Sequence, residues 1–162
     1  MLTSLTVRDI VLIHRLDLAF KPGFCVLTGE TGAGKSILLD ALGLALGGRA
    51  ERGLVRAGAA QGSVVAAFEP PANHPAWAIL AEQAIDGGCA DGPRELVLRR
   101  VVAADGRAKA FVNDEPVSTQ LLRRIGESLV EVHGQNEQRG LLNPACHRDL
   151  LDAFGELDGL AA

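Results

Sequence analysis

The chain has 162 residues, enough to bury a core of its own, and 48% of them are apolar, as in a globular α/β protein. A net charge of −4 argues against a strongly basic nucleic-acid footprint on this stretch, and residues 1–20 lack the apolar run of a signal peptide or a membrane span. Cys25, Cys89 and Cys146 are odd in number and scattered without CxxC spacing, which excludes a disulfide framework or a cysteine zinc site and fits reduced thiols in a soluble, cytoplasmic protein.

In chain order, residues 2–9 and 13–20 read as two strands of a hairpin, with Leu16, Leu18 and Phe20 alternating with Arg15, Asp17 and Ala19. Pro22 and Gly23 mark a turn. Residues 24–28, Phe-Cys-Val-Leu-Thr, are continuously apolar up to Thr28, the pattern of a central strand covered on both faces, with Cys25 as a small buried hydrophobe. A glycine-rich loop follows, then a strongly apolar helix through Leu46 that Gly47 and Gly48 end. Residues 64–68 read as a strand stopped by Pro70 and Pro71, and 76–85 as a helix with Pro75 in its first turn. The stretch 86–93 is a loop. Residues 95–102 and 108–113 read as hairpin strands around Asp105 and Gly106. Ser118 caps a short helix carrying Leu121, Leu122 and Ile125, residues 128–133 read as a further strand, and 147–154 begin another helix.

The loop carries the chemistry. Gly29-Glu30-Thr31-Gly32-Ala33-Gly34-Lys35-Ser36 fits the pattern Gly-x4-Gly-Lys-Ser, with an apolar segment before it and an apolar helix after it. Its glycines let backbone N–H groups, up to that of Ile37, curl around the β- and γ-phosphates of a nucleotide. The positive end of the helix points at the same place. Lys35 supplies an ammonium to the phosphate oxygens, and the Ser36 hydroxyl completes the coordination of Mg²⁺. Nothing in the chain reads the base; the absence of the GTPase Asn-Lys-x-Asp motif leans toward ATP.

The order "strand, strand, phosphate loop, long apolar helix" resembles the ABC-type ATPase heads of the SMC class. The stretch from Phe24 to Leu44 is similar to the opening of the RecN family of bacterial repair proteins within that class. So are Gly47-Gly48-Arg49-Ala50, Leu54-Val55-Arg56-Ala57-Gly58, Gly106-Arg107 with Phe111-Val112-Asn113, and Val130-Glu131-Val132-His133-Gly134-Gln135-Asn136-Glu137. The resemblance covers nearly the whole chain. It implies that residues 1–162 form the N-terminal lobe of an SMC-like head, with a mixed parallel and antiparallel sheet, acting in recombinational repair of DNA double-strand breaks. It implies that Gln135 reaches the Mg²⁺ and the attacking water, with Gln138 the competing choice by spacing. It places Arg56 where the class carries an arginine that meets the nucleotide phosphates in cis; otherwise Arg56 is a solvated surface arginine. Lys35, Gln135 and Arg56 are thus the expected catalytic set.

The same resemblance points to parts the chain lacks. No Walker B Asp-Glu and no Ser-Gly-Gly signature follow Gln135, and in the class both come from a C-terminal lobe beyond a coiled coil. The expectation is a fragment that hydrolyses ATP barely on its own. Its implied partners are its own C-terminal lobe, a second head sharing sandwiched ATP, and DNA, with no membrane and a nucleoid-associated location in the cytoplasm. The alternative is a stand-alone phosphate-loop protein or small-molecule kinase, against which the hairpin between residues 86 and 113 stands in place of an arginine-rich lid. Elsewhere, His14 and His147 read as surface residues and His74 as a turn residue, while His133 either lines the site or is structural. Trp77 and the phenylalanines read as core. The pairs Arg99-Arg100 and Arg123-Arg124 read as solvated faces rather than DNA contacts.

Overall fold

The computed structural model describes residues 1–28, 32–51, 53–85 and 94–131. The chain divides into a compact unit Met1–Val130 and a second, Glu131–Ala162, of which Glu131 alone is described.

The first unit is built on a six-stranded sheet of order β2-β1-β3-β4-β5-β6, every neighbouring pair antiparallel. Its strands are β1 Leu2–Ile10, β2 Ile13–Ala19, β3 Gln61–Phe68, β4 Leu96–Ala103, β5 Ala108–Val112 and β6 Glu115–Val117. Three helices accompany it: α1 Gly32–Ala45, α2 Pro75–Glu82 and α3 Thr119–Leu129. The register stacks the inward residues in rows, Leu5–Ala66–Leu98–Val112 and Val7–Val64–Arg100–Ala110. Period-2 alternation sends these side chains to one face, where α1 crosses β1, β3 and β4 and α3 covers β5. Ile37, Ala41, Leu44 and Ala45 recur at helical spacing along α1 and are buried, as are Leu122, Ile125 and Gly126 of α3. Gly126 is where these two helices meet: a Cβ there would stand 2.5 Å from the Leu46 carbonyl oxygen.

Local signals set the ends of the elements. Ser118 caps α3, its Oγ accepting from Leu121 N at 3.1 Å, and Gly106 turns the β4–β5 hairpin at φ +88°. His74 caps α2, accepting at Nδ1 from Ala76 N at 3.2 Å, with Pro75 in the first turn. Trp77 is in the core, as its composition suggested, and donates Nε1–H to the Pro71 carbonyl at 2.9 Å.

Four expectations need correction. Residues 24–28 belong to no strand and are exposed, Phe24 by 96%, so Phe24 is not core and Cys25 is not a buried hydrophobe. A strand exists only through its neighbours' hydrogen bonds, and β2 has β1 as its one neighbour in the described sheet. For the same reason the parallel component of the expected sheet is not found among the described strands. Ser128 and Leu129 finish α3 rather than start a strand, because the Ser118 cap and the buried face carry the helix that far; Val130 then turns extended. Arg100 is not on a solvated face. Its position in β4 points it inward, where it is 4% exposed, and its Nη1 donates to Thr119 Oγ1 at 2.8 Å while Nε finds no partner. Burial pushes its pKa down from the usual guanidinium value.

Arg99, Arg123 and Arg124, the rest of the two arginine pairs, are at least partly exposed. Arg99 lies over the Phe111 ring at 4.1 Å and pairs with Asp114 at 3.1 Å. Arg123 pairs with Glu127 one turn along α3, and Arg124 with Glu82 of α2. On the outward face of the β1–β2 hairpin, Arg8 and Arg15 share Asp17 at 2.6 and 3.1 Å.

Candidate nucleotide-binding site

The site is organised by the start of α1. This helix has 14 residues and no acidic side chain in its first turn, so the amide donors and positive dipole end are not already answered by a carboxylate of their own helix. Gly34 is exposed and a Cβ on it would meet nothing within 4 Å, so the approach to the helix end is open at that position. Lys35 follows, half-buried, and Ser36 is exposed. Ile37 sends its side chain into the core at 9% exposure, so any part it takes at the site is through its backbone. Backbone amides at a helix start, with an ammonium and a hydroxyl in the same turn, are donor types that suit a polyphosphate.

Gly32 and Ala33 are within α1. Gly29, Glu30 and Thr31 lie outside the described residues, as do His133, Gln135 and Gln138. Among the described residues there is no cluster of three or more His, Cys, Asp or Glu side chains.

Arg56 sits in the loop after α1, against the tip of the β1–β2 hairpin. Its backbone N donates to the Asp9 carbonyl at 2.9 Å, and its Nε donates to Asp9 Oδ1, also at 2.9 Å. The side chain is 40% exposed and borders a cleft of about 160 Å³ lined also by Glu51, Gly58, Val102 and Gly106. Neither sequence reading of Arg56 anticipated the carboxylate. Asp9 follows Arg8 in an alternating strand and carries no signal of its own; only the fold brings it to a residue 47 positions away. The chain leaves the hairpin at its other end, since Ala19 pairs with Ser4. Nine residues separate that exit from the phosphate loop, and extended chain spans roughly 3.3–3.6 Å per residue, about 30 Å in all. That reach is enough to return along the whole hairpin.

A protein-family model described as an AAA domain matches residues 4–74. The chain is 42% identical over 154 residues to the DNA repair protein RecN of Haemophilus influenzae, covering 95% of this chain and 27% of that protein. It is also 42% identical over 157 residues to RecN of Halalkalibacterium halodurans, covering 95% of this chain and 26% of that protein. The chain thus spans about a quarter of the length of the curated relatives it matches. Among solved structures, an SMC ATPase described for its ATP-driven dimerization and DNA-stimulated activation superposes with a TM-score of 0.62 at 22% identity. That match covers 94% of this chain and 98% of the other. The chain belongs to the RecN family, and its fold is the α/β phosphate-loop fold of an SMC-type ATPase head.

Proposed function

We propose that residues 1–162 are the ATP-binding N-terminal lobe of an SMC-like DNA repair protein. The observation that carries this reading is the open start of α1 with Gly34, Lys35 and Ser36 in place, in a chain that shares 42% identity with RecN proteins. Backbone amides from Gly29 to Ile37, those of Glu30, Thr31, Gly32 and Ala33 among them, hold the triphosphate. Lys35 neutralises the β- and γ-oxygens, Ser36 and Gln135 hold the Mg²⁺, and Arg56 meets the phosphates from the side. Bound ATP·Mg²⁺ supplies an electrophilic γ-phosphoryl group; the chain's own contribution is position and compensating charge.

The exposed run Phe24, Val26 and Leu27 supports a partner lobe. Burying a side chain of that size stabilises by about 1.5–3 kcal/mol, so leaving three in water forfeits several. The protein's own C-terminal lobe is the occupant this reading assigns, completing the strand that residues 24–28 do not form alone. It would also bring the missing Walker B carboxylates and signature loop, so that hydrolysis belongs to the complete head. ATP binding then draws two heads together and hydrolysis releases them, with DNA as the substrate of the repair reaction and the cytoplasm as its location. No described helix is long and apolar enough to cross a membrane.

The test is equilibrium titration of the protein with ATP and with GTP in magnesium, for the parent and for Lys35→Ala. A charged hydrogen bond to phosphate is worth about 1.5–3 kcal/mol, so the variant should bind ATP roughly 10- to 100-fold more weakly. Equal affinity in the two proteins would remove the role given to Lys35, and preference for GTP would remove ATP.

A further inference from the structure

The loop that carries Arg56 is fastened to the β1–β2 tip by several independent contacts. Arg56 N donates to Asp9 O at 2.9 Å, Val11 N donates to Leu54 O at 2.8 Å, and Ile10 and Val55 form an isolated antiparallel bridge. Asp9 itself is left-handed, at φ +48°, a conformation that non-glycine residues adopt at a cost. Gly62 packs beneath it so closely that a Cβ there would lie 2.5 Å from the Asp9 carbonyl oxygen. Strained backbone of this kind persists where its surroundings over-determine it. Its consequence is that the Asp9 carboxylate, 28% exposed, is presented to the Arg56 Nε at 2.9 Å. His14 Nε2 stands farther from the same oxygen, at 4.0 Å.

A guanidinium is a rigid planar fork with five N–H donors. A carboxylate on Nε fixes the plane and leaves terminal N–H groups available to a second anion, the geometry in which arginine grips phosphate. We propose that Asp9 is a positioning residue for Arg56, holding the guanidinium in the orientation in which its terminal nitrogens meet the nucleotide phosphates. The proposal rests on the reading of Arg56 as a phosphate contact. Its physical content is pre-organisation: an arginine already held loses less freedom when the nucleotide arrives.

The experiment compares the full-length protein with its Asp9→Asn, Asp9→Gly, Arg56→Ala and Arg56→Ala/Asp9→Asn variants. It reads ATP affinity by equilibrium titration and turnover by steady-state hydrolysis. Asparagine and glycine are chosen because both tolerate a left-handed backbone, so the β1–β2 tip keeps its course while the charge or the whole side chain is removed. Loss of one charge-assisted hydrogen bond to phosphate should weaken ATP binding about 10-fold in Arg56→Ala, and loss of its orienting partner about 3-fold in Asp9→Asn and 5-fold in Asp9→Gly. In the Arg56→Ala background, Asp9→Asn should change neither affinity nor turnover further, because Asp9 then has nothing to orient. A merely structural role for Asp9 predicts the same loss in both backgrounds, and that result overturns the proposal. So does an unchanged affinity in both Asp9 variants when Arg56→Ala is impaired. If Arg56→Ala itself binds and turns over ATP like the parent, the phosphate role of Arg56 fails and the positioning role with it. The Lys35→Ala titration still decides separately whether the chain holds nucleotide.

Discussion

Gly126→Ala in α3 sets two effects of opposite sign against each other. Alanine is the better helix former by about 0.8–1.0 kcal/mol, so an unobstructed mid-helix glycine should gain stability on this change. At Gly126 the new Cβ would stand 2.5 Å from Leu46 O, 2.9 Å from Leu46 Cβ and 3.0 Å from Leu46 Cα. Two of these atoms are backbone and the third is fixed to it, so no rotamer change removes the overlap. The end of α1 and α3 must move apart by several tenths of an ångström. Overpacking costs about 1–3 kcal/mol, and a contact with backbone belongs at the upper end, leaving a net loss of about 2 kcal/mol. With a urea dependence of about 2 kcal/mol per molar, the unfolding midpoint should fall by about 1 M. Gly43→Ala in α1 is the internal control, since a Cβ there meets nothing within 4 Å and helix propensity alone should raise stability by about 1 kcal/mol. If both substitutions shift the midpoint in the same direction, the close approach of α1 and α3 at Gly126 is not what decides the sign.

Two further predictions concern charge. Arg100 is 4% exposed and answered by one neutral hydroxyl, so Arg100→Met, which keeps volume and removes the desolvated charge, should be as stable as the parent or more so; Arg100→Ala, which leaves a cavity, should lose about 2–4 kcal/mol by the same unfolding measurement. Two destabilised variants of similar size would show that the buried charge contributes more than the packing. Asp17 has its pKa lowered from 3.8 to about 2, chiefly by the Arg8 hydrogen bond and then by Arg15. A carboxyl depressed on folding contributes stability above 3.8 and loses it as pH falls through about 2, so the melting-temperature gap between parent and Asp17→Asn should be widest above that window and close within it. A gap that stays constant across the window would assign Asp17 no such linkage.

What the amino-acid sequence determined by itself was whatever depends on neighbours a few positions away. The Ser118 cap, the Asp105-Gly106 turn and the alternation of Leu16 and Leu18 with Arg15 and Asp17 in β2 are written in short windows, and each produced its element. The Gly-x4-Gly-Lys-Ser pattern is legible for the same reason: its residues are consecutive. Tertiary structure decided the rest. Whether the apolar run 24–28 becomes a strand depends on a neighbour for it to bond, and no described strand supplies one. Whether Arg100 faces water or core depends on the register of β4 against β3 and β5, which a pair of adjacent arginines does not reveal. Asp9 and Arg56, 47 residues apart, meet only because a left-handed turn and a packed glycine bring the hairpin tip to the loop after α1. Contacts of that sequence separation leave no local periodicity, because the energy that selects them is shared by the whole sheet.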